Sequence, residues 1–181
     1  MVHHDLLHQI LTDRKKGPFV FPYYGQYSIA EIEPTIRTLF NIPTSRQAFP
    51  GNFFFGKARK KIILLIIDGF GFNHLLDHGT GTPFFDALMH RGDVYPITSV
   101  FPSTTPAALT TIHTGYTPQE HGLVEWFTYF EEFQKVIMPM QFRARSDDEH
   151  NSLTSEGGTA QMMYQREVLY ETLVGAGVTS H

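Results

Sequence analysis

The sequence predicts an α/β domain with a mostly parallel sheet. Residues 61–67 read Lys-Ile-Ile-Leu-Leu-Ile-Ile, a short apolar run that is typical of a central strand covered on both faces. Residues 94–100 predict a second strand, and the residues between the two predict helices over 74–78 and 82–90. Strands alternating with helices in this order indicate the βαβ unit of a parallel sheet, and hence a three-layer α/β/α sandwich.

The remaining elements follow from local signals. Apolar residues recur at helical spacing over 28–40, which predicts an amphipathic helix. Asn73 is the expected cap of the helix over 74–78, whereas Pro83 and Gly92 mark the two ends of the next helix. The other predicted elements are helices over 6–11 and 167–174, a short strand over 135–138 and a polar loop over 145–158.

The elements predict a single domain over residues 1–181. Residues 1–60 form an N-terminal extension with a helix, and residues 61–181 supply the core strands and helices. Residues 178–181 resemble the start of a further strand, which would leave the sheet incomplete. We therefore expect the sequence to be the N-terminal portion of a longer protein.

Composition excludes several classes of partner and site. The net charge of −4 gives no electrostatic basis for binding nucleic acid polymers or anionic membranes. The absence of cysteine excludes disulfides and thiolate metal sites. The N-terminus lacks the apolar core of a signal peptide, and no apolar run reaches membrane-spanning length. We therefore expect a cytoplasmic protein, and the sequence leaves its oligomeric state open.

The most informative segment runs from Phe101 to Gly115. Pro106 suits the first position of a helix, which makes Thr105 the expected N-cap and Gly115 the expected C-cap. A hydroxyl at a helix N-terminus lies among unpaired N–H groups and a partial positive charge. This environment stabilises an alkoxide or a bound phosphate, although a purely structural cap is the alternative interpretation.

Asp68 directly follows the predicted strand over residues 61–67. Ligands of open parallel sheets bind beyond the carboxyl ends of the strands, where Thr104 and Thr105 also lie. If the two strands are neighbours, the carboxylate and a hydroxyl converge, and such a carboxylate is a common metal ligand in phosphoryl-transfer sites. The alternative is a carboxylate that caps the following turn.

Three ordered segments together resemble one protein family. Residues 62–71, Phe101-Pro-Ser-Thr-Thr and residues 113–122 resemble the type I phosphodiesterase/nucleotide pyrophosphatase family of the alkaline phosphatase superfamily. The resemblance implies the alkaline-phosphatase-like form of the sandwich. It also implies that Asp68 is a metal ligand, that Thr105 is both the nucleophile and a metal ligand, and that Thr104 occupies a variable position.

The resemblance further implies a metal-dependent hydrolase of phosphodiester or pyrophosphate bonds. Two divalent ions, usually zinc in this superfamily, would flank Thr105, whose oxygen attacks phosphorus before water releases the product. The N–H groups of Ala107 and Ala108 are expected to face the phosphoryl oxygens. The expected partner is a small-molecule phosphate ester or nucleotide.

Two features depart from the family pattern. Glu125 and Trp126 stand where family phosphodiesterases often place an Asn that contacts a phosphoryl oxygen. The later ligands of the family, Asp-x-x-x-His, Asp-His and a final His, have no match after Thr105, so we expect them beyond His181. On this view the 181-residue chain alone is inactive or nearly so. The alternatives are a phosphomonoesterase on the same scaffold and a protein without the full metal site.

Other histidines and carboxylates favour structural or solvent-exposed roles. His121 is expected to hold its turn through ring hydrogen bonds, and Trp126 is expected in the core or in a pocket wall. Several pairs have spacing near that of metal ligands but lie on helices or in a polar loop: His4 and His8, His74 and His78, Asp86 and His90, and residues 147–150.

Overall fold

The computed structural model describes residues 1–51, 53, 58–79, 81–163 and 166–181. The α-helices are α1 (His4–Arg14), α2 (Ile32–Leu39), α3 (Phe72–His78), α4 (Pro83–Arg91), α5 (Thr105–Thr114), α6 (Pro118–His121), α7 (Ser152–Ser155), α8 (Ala160–Met163) and α9 (Leu169–Gly175). Two 3₁₀ turns cover Ile29–Glu31 and Pro139–Gln141, and the strands are β1 (Lys15–Lys16), β2 (Phe19–Val20), β3 (Thr128–Phe130), β4 (Lys135–Met138) and β5 (Arg143–Ala144).

The chain mixes helices and strands, as an α/β fold requires, but the expected parallel sandwich is not seen. The strands of the described residues form an antiparallel β1–β2 hairpin and an antiparallel β3–β4–β5 sheet. Parallel pairing is limited in these residues to two isolated bridges, Val2 with Val94 and Ser28 with Thr98. The prediction of a regular strand over residues 94–100 is therefore wrong, because its pairing stops at these two bridges.

The prediction of a central strand over residues 61–67 is also wrong. These residues form no strand, and no backbone hydrogen bond joins them to another described residue. The side chains of residues 63–67 are exposed, Ile63 by 94%, whereas Ile62 is partly buried against the cluster that joins α2 and α9. A parallel strand depends on neighbours along both edges and on layers over both faces, none of which a local apolar pattern can provide.

Helices with strong local signals are confirmed. Ser28 begins the helical segment with a capping box: its hydroxyl accepts from Ala30 N, while Glu31 accepts from Ser28 N at 2.6 Å. Pro83 and Gly92 bound α4 as expected. The helix predicted over 74–78 begins at Phe72 instead, with Gly71 rather than Asn73 as its N-cap.

Two clusters of buried apolar side chains hold these elements together. The first packs the antiparallel sheet against the segments that flank it. The second packs α2 against α9. The first cluster contains Leu123, Phe130, Ile137, Ala144, Leu153 and Met163, and the second contains Ile36, Leu169 and Leu173.

A buried ion pair strengthens the contact between α2 and α9. Glu33, 1% exposed, pairs with Arg37 one helical turn later. The Arg37 guanidinium also donates to Thr172 Oγ1 at 2.8 Å and to Glu167 Oε2 at 3.1 Å. A charge at Glu33 is tolerated in the interior because this guanidinium neutralises it.

Helix α5 lies at the junction of these elements. It packs against the Ile29–Glu31 turn, α2, α6 and α9. It ends at Gly115, whose φ of 70° is left-handed, as the sequence predicts. A Cβ at Gly115 would approach Glu33 Oε2 to 2.8 Å, so both the backbone angle and the space favour glycine. No helix in the described part of the chain is long and apolar enough to cross a membrane.

The substitution Ile137→Ala tests the core of the antiparallel sheet. Ile137 is fully buried, so truncation leaves a cavity and should lower the free energy of unfolding by about 2–5 kcal/mol. Its neighbour on β4, Val136, is 38% exposed, and Val136→Ala should cost less than about 1 kcal/mol. Urea titration followed by circular dichroism measures both. Equal losses would contradict the assignment of Ile137 to the core.

Candidate active site

A cavity of about 610 Å³ lies beside the first turn of α5. Its wall combines residues 66–72, which follow the apolar run, with Val94, Thr98 and Ser99 from the next extended segment. Thr105 completes the wall at the beginning of α5. The two segments predicted as neighbouring strands therefore share one cavity, although no sheet hydrogen bonds join them in the described residues.

Asp68 and Thr105 meet in this cavity. The Thr105 hydroxyl donates to Asp68 Oδ2 at 3.0 Å, across 37 positions in sequence. The other carboxylate oxygen, Asp68 Oδ1, accepts from the amide of Gly69 at 3.0 Å. Gly69 has a left-handed φ of 71°, which favours glycine directly after Asp68. The structure thus brings together the two residues that the sequence singles out.

Thr104, and not Thr105, is the N-cap of α5. Thr104 has extended backbone angles, whereas Thr105 is the first helical residue and Pro106 the second. The prediction placed the cap one residue too late because it assumed that proline takes the first helical position. The Thr104 side chain makes no capping hydrogen bond and donates to Val124 O, whereas the Thr105 hydroxyl donates to Asp68.

The amides at the start of α5 are not all open to a ligand. Ala108 N–H donates to Thr104 O at 2.9 Å, and Ala107 is fully buried. The expectation that the N–H groups of both alanines face a phosphoryl group is therefore wrong. Ala107 lies beneath the protein surface, and the Ala108 N–H takes part in the backbone hydrogen bonding of the helix.

A hydrogen-bonded histidine joins α5 to the segment after α6. His121 is 6% exposed, and its Nδ1 accepts from Leu123 N at 3.0 Å. The ring proton therefore lies on Nε2, which donates to Thr111 Oγ1 at 3.1 Å. A second link runs from the Thr104 hydroxyl to Val124 O at 2.7 Å. Together these bonds fix the first and middle turns of α5 relative to residues 121–124.

The turn that carries His121 is anchored from both sides. Glu120 accepts from Thr117 N, which closes a capping box around α6. The Arg46 guanidinium donates to both oxygens of the Glu120 carboxylate, at 3.1 and 2.7 Å. Arg46 also lies 4.2 Å from the ring centroid of Tyr116. Bidentate geometry of this kind restrains orientation as well as supplying energy.

The other pairs with ligand-like spacing do not assemble a metal site. The rings of His74 and His78 lie 4.7 Å apart on α3, and no third histidine or carboxylate of the described residues joins them to form a metal site. Asp86 accepts from Gly81 N, so it serves as a local cap, and Asp147 accepts from Ser152 within its loop. Nowhere in the described residues do three or more histidines or carboxylates group closely enough to hold a metal ion.

Two serines in the cavity wall were not singled out from sequence. Ser99 and Ser103 line the cavity beside Thr105. Their position shortly before Thr104 and Thr105 is the feature of the sequence that could have identified them as cavity residues. Glu125 and Trp126 are not part of this wall, and the Glu125 carboxylate accepts from Trp126 N instead.

Comparison with protein families agrees with this geometry. The family model described as type I phosphodiesterase / nucleotide pyrophosphatase matches residues 62–181 of the 181-residue chain. The match covers more than half of the chain. The chain belongs to this family. No curated protein and no solved structure matches it significantly.

The match to the type I phosphodiesterase/nucleotide pyrophosphatase family has a clear boundary. It begins at Ile62, inside the apolar run of residues 61–67, and contains Asp68, Thr105 and His121. Residues 1–61, which include α1, α2 and the β1–β2 hairpin, lie outside it. The cavity is thus lined mainly by family residues, and α2 supports α5 from outside the matched region.

The buried His121 predicts a loss of stability in mild acid. Burial lowers its pKa from 6.5 to about 4, against the opposing effects of a hydrogen bond with the Ala107 backbone and of the nearby charge of Glu120. The unfolded chain then binds a proton near pH 6.5 that the folded chain does not, so stability falls as the pH drops from there towards 4. Between about pH 7 and about pH 4.5 this group should cost about 2.5 kcal/mol.

The substitution His121→Asn isolates this effect. His121→Asn should lose the part of the acid-induced drop in stability that is due to His121. The control His90→Asn, at an exposed position of α4, should show the same drop as the parent protein. Burial also lowers the pKa of His113, but that residue titrates in all three proteins and cancels in the comparison. Urea titrations at the two pH values measure the difference. An unchanged pH dependence in His121→Asn would exclude a buried neutral imidazole.

Proposed function

We propose that this chain is a metal-dependent hydrolase of phosphodiester or pyrophosphate bonds, with Thr105 as its nucleophile. The 3.0 Å hydrogen bond between the hydroxyl of Thr105 and Asp68 Oδ2 carries the proposal. It lies within the family-matched region, at the first turn of a helix and in an open cavity. The expected substrate is a small phosphate ester or nucleotide.

The position of Thr105 supports this role electrostatically. A residue in the first turn of α5 lies at the positive end of the helix dipole, which stabilises negative charge on its oxygen. Asp68 accepts a hydrogen bond from the Thr105 hydroxyl and thereby orients the hydroxyl oxygen towards the cavity side of the helix. Thr104 and His121 hold this turn in place through their bonds to Val124 and Thr111.

A carboxylate and a hydroxyl are oxygen donors that divalent cations, zinc among them, can accept. Asp68 and Thr105 offer a carboxylate and a hydroxyl oxygen within 3.0 Å of each other, so both can contact the same ion. Two oxygens do not complete a coordination shell, and the described residues supply no larger cluster. The further ligands of the proposed pair of ions, zinc in our proposal, therefore come from elsewhere in the functional protein. Bound divalent ions lower the pKa of a hydroxyl and neutralise phosphate charge.

The proposed reaction uses two in-line displacements. The Thr105 oxygen attacks phosphorus, the bond to the leaving oxygen breaks, and the leaving group departs as an alcohol or a nucleotide. The proton that the Thr105 hydroxyl loses passes through water to the departing oxygen, because Asp68, the hydrogen-bond partner of that hydroxyl, is proposed to hold the metal ion. Water then attacks the phosphorus esterified to Thr105, which regenerates the hydroxyl and releases the phosphorylated product.

The proposal includes the three-layer sandwich of the alkaline phosphatase type. Residues 61–67 and 94–100 form no regular strands in this structure, and in this proposal they become adjacent parallel strands, ending at Asp68 and at the turn before α5, when further strands of the sheet pair with them. Their common cavity and the exposed apolar side chains of residues 63–67 support this arrangement. Covering those side chains would remove a large apolar surface from water.

Paired substrates and variants test the reaction. With Zn²⁺, bis-p-nitrophenyl phosphate should be cleaved faster than p-nitrophenyl phosphate, and Thr105→Ala should lower kcat/KM by about 10³-fold or more. Thr104→Ala is the matched control, and we expect its loss to stay within about tenfold because Thr104 positions the turn without reacting. Release of p-nitrophenol measures all four rates. These assays require the protein with its full set of metal ligands.

The outcomes separate the alternatives. A strong preference for the monoester would favour a phosphomonoesterase on the same scaffold. Full activity in Thr105→Ala together with loss of activity in Thr104→Ala would identify Thr104, and not Thr105, as the nucleophile. No turnover with any divalent ion would favour a protein that keeps the fold without the chemistry.

A binding experiment tests the metal ligand independently of turnover. Asp68→Asn should weaken Zn²⁺ binding by about tenfold or more in isothermal titration calorimetry, because a charged oxygen ligand becomes a neutral amide. Asp77→Asn, at an exposed position on α3, is the matched control and should bind as the parent does. Equal Zn²⁺ affinity in Asp68→Asn and the parent would remove Asp68 from the metal site.

A further inference from the structure

The β1–β2 hairpin presents lysine and apolar side chains together to solvent. Its two strands pair antiparallel, with Lys15 opposite Val20 and Lys16 opposite Phe19. Every residue from 15 to 21 is exposed, and Phe19 is 66% exposed although phenylalanine is among the residue types most often buried. Residues 15–21 form the hairpin surface.

The charge of the hairpin surface is positive, although the whole chain has a net charge of −4. Lys15 and Lys16 are its only ionisable residues, and no described carboxylate forms an ion pair with either. The nearest acidic residue in the sequence is Asp13, whose carboxylate accepts from the Tyr23 hydroxyl at 2.8 Å. Because salt screens exposed charges beyond about 10 Å, the local lysines decide which partner this surface attracts.

Lysine and aromatic side chains lie side by side on the hairpin surface. The Lys16 ammonium lies 5.8 Å from the centroid of the Phe21 ring. Lysine is depleted at the centre of protein–protein interfaces, and lysine on a short edge strand opposes pairing with a further strand. A lipid surface suits the same arrangement, because the ammonium reaches phosphate oxygens while neighbouring apolar groups enter the acyl boundary. The mixture therefore favours lipid over a second protein chain.

The side chains of the hairpin surface also argue against a nucleic acid partner. None of them carries an amide or hydroxyl group, which proteins use to contact bases and sugars. Pro18 and Val20 offer no aromatic ring on which a base could stack. Their aliphatic groups gain instead from leaving water for the acyl region of a bilayer.

We propose that the hairpin surface docks the protein on membranes that contain anionic phospholipids. Both faces of the hairpin are exposed, so it enters the membrane interface tip first. Phe19 and Val20 lie at the boundary between head groups and acyl chains, and Lys15 and Lys16 contact the anionic head groups. Binding of this kind is peripheral and needs no membrane-spanning helix.

The segment after the hairpin leads directly to the candidate active site. Tyr23 N donates to Thr98 Oγ1 at 2.8 Å, and the Tyr24 hydroxyl accepts from Phe101 N at 3.1 Å. Thr98 lines the cavity that contains Thr105. Docking at the hairpin surface therefore fixes the orientation of this cavity relative to the lipid.

Sedimentation with vesicles tests the docking. In metal-free buffer, the full-length protein should bind phosphatidylcholine vesicles that contain about 30% phosphatidylserine, and it should bind pure phosphatidylcholine vesicles about tenfold more weakly. Raising the salt concentration from about 0.1 M to about 0.5 M should weaken binding to the mixed vesicles, because salt screens the lysines. The fraction of protein that sediments with the lipid measures both effects.

A pair of charge variants locates the contact. Replacing both hairpin lysines, Lys15→Gln with Lys16→Gln, should lower the affinity for the mixed vesicles by about tenfold or more. Lys60→Gln with Lys61→Gln makes the same change of net charge at another pair of exposed lysines, and it should bind as the parent does. Circular dichroism confirms that each variant folds.

A fluorescent variant reports entry into the membrane interface. The emission of Phe19→Trp should shift to shorter wavelengths on addition of the mixed vesicles, and lipids with brominated acyl chains should quench it. Tyr129→Trp is the matched control on β3, where Tyr129 is 58% exposed, and its emission should not change.

Four results would overturn the proposal: equal binding to the two kinds of vesicle, binding to neither, equal losses in the two lysine variants, or unshifted emission in Phe19→Trp. Absence of vesicle binding together with binding to polyuridylate would assign the surface to nucleic acid. Absence of vesicle binding together with self-association that Phe19→Ser abolishes would assign it to a second copy. Vesicle binding is measured without metal or turnover, so its failure leaves the proposed hydrolase untouched, and the reverse also holds.

Discussion

The buried imidazole of His121 is the contact on which the geometry of the site depends. Its two ring nitrogens join Thr111, in the middle of α5, to Leu123 N after α6. A second hydrogen bond, from the Thr104 hydroxyl to Val124 O, fixes the start of the same helix. Because α5 cannot rotate without breaking these bonds, the Thr105 hydroxyl is held towards Asp68. The positive end of the helix dipole and the Asp68 carboxylate then both act on the Thr105 hydroxyl oxygen.

Local signals in the sequence were sufficient for most helices. The capping box at Ser28, the proline and glycine that bound α4, and the left-handed Gly115 all act within a few residues, so a single sequence reveals them. The strand β4 also lies where its short apolar pattern predicts. The position of the α5 cap was wrong by one residue, because proline is accepted in the second helical position as well as the first.

Long-range pairing set the limit of sequence prediction. Residues 61–67 have the composition of a buried parallel strand, yet residues 63–67 remain exposed, because such a strand exists only when distant segments cover it. The candidate site could be predicted more closely than the sheet, because the ordered motifs indicate that Asp68 approaches Thr105. The buried His113 Nδ1, which has no hydrogen-bond partner among the described residues, was not anticipated, because burial without a partner is a property of packing that no spacing reveals.

The central claim is that Thr105 attacks phosphorus, and trapping the covalent adduct tests it most directly. Zinc-loaded protein with its full set of ligands would be mixed with bis-p-nitrophenyl phosphate and quenched in acid within one turnover. Peptide mapping by mass spectrometry would then locate any phosphorus ester. We predict modification of Thr105 alone, and none in Thr105→Ala. Modification of Thr104 or Ser103, or turnover with no adduct at any quench time, would contradict the account.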